Sequence, residues 1–141
     1  FNDGDNRKDS KKKIREIGGL YQINSVGRFA PAIIEAMYSG NGGDSQENDV
    51  EAVLYAQQST PKADATLLIA DNNSEVRDMS LLRGIRKKVY VLICGKPRAI
   101  RINYSDFAKV TGGDIILNGG RIKLNKIGVG GQIQIDNTTY F

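Results

Sequence analysis

The chain contains no histidine and a single cysteine among its 141 residues. Those two scarcities exclude histidine-based catalytic triads and cysteine–histidine zinc sites, so any metal would be a hard cation held by oxygen ligands. One cysteine also excludes an internal disulfide. Cys94 closes the apolar run Val89–Cys94, where a small buried hydrophobe is the expected role. No apolar run approaches the length of a membrane span, so the chain reads as soluble. Aromatic residues make up only 7% against 40% hydrophobic residues overall, enough for one modest core. The chain begins at Phe1 without a methionine or a signal-like segment, and compartment is not legible, whether cytoplasmic or periplasmic and exported.

The net charge of +4 conceals a segregation. From Phe29 to Pro61 there are five acids (Glu35, Asp44, Glu47, Asp49, Glu51) and no base. From Met79 to Ser105 there are seven bases (Arg83, Arg86, Lys87, Lys88, Lys96, Arg98, Arg101) and no acid. A further basic cluster covers Arg7-Lys8 and Lys11-Lys12-Lys13. Such runs are ordinarily solvated faces.

The run Ala65–Ala70, apolar but for Thr66, stops at Asp71. A short run without alternation reads as a strand buried on both faces of a parallel sheet. Ligands bind where the carboxyl ends of such strands open, which is where Asp71 would stand. The same residue would serve equally as a cap or turn former. Upstream, Phe29, Ile33, Ile34 and Met37 fall at helical spacing, with Pro31 tolerated in the first turn. Asp44-Ser45-Gln46-Glu47 resembles a capping box. The helix after it presents Val50, Val53, Leu54 and Gln57, and Thr60-Pro61 stops it. A short helix is expected around Asp78–Ile85, then a second apolar strand, Val89–Cys94. Asn103 and Asp106 form a capping signal for a helix carrying Tyr104, Phe107, Ala108 and Val110, with Gly112 as its left-handed terminator.

Alternation of helix and strand predicts an α/β layer fold with parallel strands. After Gly113, the segments Ile115–Leu117, Ile122–Leu124, Gln132–Ile135 and Thr138–Phe141 read as a last sheet strand followed by antiparallel hairpins.

Three segments resemble the later part of a von Willebrand factor type A (VWA) domain of bacterial type. They are Gly42–Ala52, Leu67–Asp71, and Val89–Gly95 leading to Phe107–Gly113. The resemblance implies a doubly wound, mostly parallel α/β sandwich over 1–113, with 114–141 as its last strand and a small hairpin extension. It implies a non-enzymatic module for protein interaction or adhesion. Such domains hold a divalent cation, usually magnesium, in a metal-ion-dependent adhesion site at the carboxyl edge of the sheet. A partner's acidic side chain completes the cation's coordination. By position Asp71 matches the family's third-loop ligand and Asp44 falls close to its second-loop position. Ser74, Asn72 and Glu47 are outer oxygen candidates, although completing the cap is the stronger role for Glu47. The first loop of the family, Asp-x-Ser-x-Ser, is absent from this sequence, as is the first strand. The expectation is therefore that 1–141 is the later part of a larger domain, completed by an upstream segment or another chain.

Other chemistry finds less support. Gly128–Gly131 does not sit between a strand and a helix, and Gly95-Lys96-Pro97 lacks the upstream glycine and the hydroxyl of a phosphate loop. No nucleophile–base pair is evident, so no enzyme is expected. The alternative class is polyanion or nucleic-acid binding through Arg83, Arg86, Lys87, Lys88, Arg98 and Arg101, without stacking aromatics to accompany them. A nucleotide-using enzyme would rest on fold analogy alone.

Overall fold

The computed structural model describes residues 27, 28, 30, 31, 34, 46–71, 75–95, 100, 102–118, 120–123, 133–135 and 138–140. The chain divides into two compact units, Phe1–Asp44 and Ser45–Phe141. In the first, Gly27, Arg28, Ala30, Pro31 and Ile34 are helical, all but Gly27 within the helix expected over 28–39 from the apolar spacing.

The second unit carries strand β1 (Gln46–Glu47), helix α1 (Asp49–Ser59), strand β2 (Ala65–Ala70), strand β3 (Glu75–Val76) and a 3-10 helix (Met79–Gly84). Strand β4 (Lys88–Ile93), helix α2 (Ile102–Thr111) and strands β5 (Ile115–Leu117), β6 (Gly120–Ile122), β7 (Ile133–Ile135) and β8 (Thr138–Tyr140) follow. The main sheet has the order β2-β4-β5-β6. Strands β2, β4 and β5 are parallel and β6 is antiparallel to β5. Strands β7 and β8 form a separate antiparallel hairpin, as the short alternating segments near the end of the chain predict. The mixed α/β class with a mostly parallel sheet is thus present. No helix among the described residues is long and apolar enough to cross a membrane.

One face of the sheet is the core. Leu68, Ala70, Val89, Val91, Ile93, Ile115, Leu117 and Ile122 pack with Val50 and Val53 of α1 and with Tyr104, Phe107 and Ala108 of α2. The other face departs from the expectation of a strand covered on both sides. Leu67 and Ile69 are 50% and 49% exposed, so β2 is buried through alternate residues only. A run of aliphatic residues announces a strand, but whether both faces are covered depends on elements elsewhere.

Polar groups fix how the helices seat. Gln57 is buried on the inner face of α1, and its amide is used at both ends. Its Nε2 donates to Thr66 Oγ1 and to the Lys87 carbonyl, while its Oε1 accepts from the backbone N–H groups of Arg86 and Lys87, all at 3.3 Å. The Lys87 ammonium in turn donates to the carbonyls of Thr60 and Pro61 at the end of α1 (3.2 and 2.6 Å). Helix α2 ends in a paired arrangement: the N–H of Gly113 donates to the Ala108 carbonyl (2.8 Å) and that of Gly112 to Lys109 (3.2 Å). Gly112, at φ +74°, supplies the left-handed residue that this ending requires, as expected. Gly113 lies so close to the backbone of β4 that a methyl group there would overlap the Val89 carbonyl.

Several local expectations differ from the structure. Gln46 and Glu47 do not form a cap; they are β1, paired in parallel with Glu75 and Val76. Helix α1 begins at Asp49 after Asn48, which makes no side-chain cap bond. Helix α2 begins at Ile102, so Asn103 lies inside its first turn rather than ahead of it. The short helix after Asp78 is a 3-10 helix whose Leu82 is buried while Leu81 is exposed. Val110 is likewise exposed. Cys94 is exposed just beyond β4, not a buried filler, because the strand's last inward residue is Ile93.

Candidate functional site

In a parallel sheet each connecting helix runs back against its strands, so the first turns of α1 and α2 come to the carboxyl edge. That edge gathers acids. Asp49 stands in the first turn of α1, beside Glu51. Tyr104 stands in the first turn of α2 and is buried. The Tyr104 hydroxyl donates to Asp49 Oδ2 at 3.0 Å and ties the two helices together.

Asp78, in the connection between β3 and the 3-10 helix, completes the group. Its Oδ1 accepts from the Val50 N–H (3.2 Å) and its Oδ2 from the Glu51 N–H (2.7 Å). A carboxylate on those amides satisfies donors that have no partner within the helix and meets the positive end of the helix dipole. The cap of α1 therefore comes from 28 and 27 residues downstream rather than from the preceding residue.

The surroundings shape the ionisation of these groups. Burial pushes the Asp49 carboxyl from the ordinary value of 3.8 up to about 6. The Tyr104 hydroxyl opposes that rise, and the negative charges of Asp78 and Asp71 add to it. Asp78 is also raised by burial, with the two helix amides and Arg77 pulling the other way. The Tyr104 hydroxyl is held above its usual range by burial and by the neighbouring Asp49. Asp71 and Glu47 also act on Tyr104, so both lie close enough for their charge to matter there.

Asp71 follows β2 directly and is exposed. It thus stands at the carboxyl edge, where the sequence places it, next to the Asp49–Tyr104–Asp78 group. Asp44, Asn72 and Ser74 lie outside the described residues. Glu47 belongs to β1. Among the described residues no group of three or more His, Cys, Asp or Glu side chains is arranged to hold a metal ion. Asp49 and Asp78 are engaged with a tyrosine and with backbone amides, and Asp71 beside them is exposed.

The described basic residues of the alternative site stand on the 3-10 helix (Arg83), just after it (Arg86 and Lys87) and at the start of β4 (Lys88). Lys87 is bound to the end of α1, while Arg83, Arg86 and Lys88 are exposed on different elements. Arg98 and Arg101 lie outside the described residues. Arg121 pairs with Asp114, its Nε donating to Oδ2 at 2.6 Å, and places its guanidinium over the Tyr90 ring.

Sequence reasoning singled out Asp71 but not Asp49, Asp78 or Tyr104 as a group. Their only local signal is an acid in the first turn of a helix. The rest is created by folding, which brings together residues from three separate connections. Compared with known protein families, curated proteins and solved structures, the chain finds no match in any of the three.

Proposed function

We propose that this chain is a non-enzymatic interaction module that takes a protein partner at the carboxyl edge of its parallel sheet. The observation that carries this reading is the exposed Asp71 at the end of β2, set beside the buried Asp49–Tyr104–Asp78 group. Asp71 is presented on the end of a hydrogen-bonded strand, and its neighbours add negative charge behind it. That combination suits a cation at the edge.

The resemblance in the sequence gives the cation as a divalent ion of magnesium type. An all-oxygen donor set fits such a hard ion, which uses one or two carboxylates and keeps several waters. Asp71 would be the ligand from this unit. A bound divalent ion supplies an open coordination position that a partner's acidic side chain can occupy. Asp49 and Asp78 hold the supporting helices and amides in place around it.

Magnesium titration by calorimetry on the full chain tests the reading, with wild type compared against Asp71→Ala. Loss of a carboxylate ligand should weaken binding by at least roughly tenfold, the cost of losing even an outer partner of a metal ligand. Equal binding by both proteins removes Asp71 from the site. No heat from either removes the cation from the reading.

A further inference from the structure

The charges of the Ser45–Phe141 unit are sorted between the two edges of its main sheet. Strands β2, β4 and β5 are parallel and β6 is antiparallel to β5. The residues at or before Ala65, Lys88 and Ile115, and those after Ile122, therefore share the amino edge. Helices α1 and α2 run back toward that edge, so their last turns end there. Cations recur at these positions: Lys62 after α1, Arg86 and Lys87 ahead of β4, Lys88 at its start, Lys109 in the last turn of α2, and Lys123 after β6. Among the described residues the acids of this edge are Asp64 and Asp114. Asp114 is buried and paired with Arg121.

Part of this charge serves the fold. Lys87 donates to the Thr60 and Pro61 carbonyls, and Lys109 stands at the negative end of the α2 dipole. Arg121 answers Asp114. Lys62, Arg86, Lys88 and Lys123 are exposed in addition to these, against the one exposed carboxylate of Asp64. Three strand spacings separate β2 from β6, so the row from Lys62 to Lys123 is about 14 Å wide. Asp49, Glu51 and Asp78 lie at the opposite edge, so a polyanion is drawn to one end of the unit and repelled from the other.

We propose that the amino edge of the sheet binds the phosphate backbone of a duplex nucleic acid, without reading its sequence, through Lys62, Arg86, Lys88 and Lys123. A row of this width meets phosphates on both sides of a minor groove about 6 Å across. The edge offers no ring for an unpaired base to stack on among its described residues, since the nearby Tyr90 ring lies under the Arg121 guanidinium. A duplex, whose bases are already stacked, asks for none. An anionic membrane suits the edge less well. Val110 is the one large apolar side chain described as exposed there, and interfacial binding takes a broader apolar face. This surface lies at the other end of the strands from the cation proposed for Asp71, and the assay is run in EDTA so that the two ideas fail independently.

The probe is a fluorescent DNA duplex of about 16 base pairs and arbitrary sequence, titrated with the full chain and read by anisotropy. It should bind saturably, with micromolar strength at low salt, and a second duplex of unrelated sequence should bind equally. Four phosphate contacts predict that affinity falls roughly a hundredfold between about 50 and 200 mM salt. Lys62→Gln, Lys88→Gln and Lys123→Gln should each weaken binding a few-fold and lower the logarithmic salt slope by about one. Arg86→Lys, which keeps the charge, should bind as wild type does. All four side chains are exposed, so the variants are expected to melt as wild type does. Absence of saturable binding at low salt overturns the proposal, as does a salt slope unchanged in all three glutamine variants or a strong preference for one sequence. Binding lost when Lys11, Lys12 and Lys13 are changed to Gln, but kept in the edge variants, overturns it in favour of that other basic cluster. Adsorption to phosphatidylserine vesicles that depends on Lys88, with no duplex binding, overturns it in favour of a membrane.

Discussion

Asp49 places a carboxyl group where water is scarce and other acids are near, and the consequence is a dependence on pH. Its folded value of about 6 lies above the ordinary 3.8, so the folded chain binds this proton more tightly than the unfolded chain does. The stabilisation from protonation is complete below about pH 4 and is lost as pH rises through about 6. At neutral pH the ionised Asp49 therefore weighs against the fold, by roughly 2 kcal/mol after allowance for its partial exposure. Asp49→Asn keeps an acceptor for the Tyr104 hydroxyl and removes the charge. Its advantage over wild type in thermal melts should be greatest at pH 7 and above and should shrink toward pH 4. A constant difference across that range would show that Asp49 does not titrate in this window. Asp78 is raised in the same sense and remains in both proteins. Cys94 teaches a different lesson at this scale. Its type and its apolar neighbours suggest burial, yet the phase of β4 ends its inward residues at Ile93.

Helix α1 is held at both ends by side chains from outside it. Asp78 takes its first free amides, and Lys87 meets the carbonyls of Thr60 and Pro61 that directly follow it. Asp78→Ala should cost about 1 to 2 kcal/mol, as loss of a helix cap does, with Asp78→Asn costing less; urea denaturation measures both. An alanine variant as stable as wild type would show that solvent caps these amides equally well. Much at this scale was legible. Strands β2 and β4 are apolar but for Thr66 and Lys88, α1 has its inward face at helical spacing, and Gly112 ends α2 as the left-handed glycine expected there. The missed pieces share a cause. Strands β1 and β3 have two residues each and exist only because they pair with one another, so neither has a periodic signal of its own. The true cap of α1 is a residue in another connection, and a capping motif read locally pointed to the wrong place.

Across the Ser45–Phe141 unit, order in the chain and order in space diverge: α1 is translated well before the residue that anchors its start. It has eleven residues, fewer than the ~12–15 at which isolated helices become even marginal in water. A nascent chain that has emerged only as far as Ala70 contains all of α1 but neither Asp78 nor the segment around Lys87. Circular dichroism should therefore find little helix from these residues in a chain ending at Ala70, with the helical signal appearing once synthesis has passed β4. Until then α1 lacks the side chains that hold both its ends, and the emerging segment waits unfolded for the next two dozen or so residues.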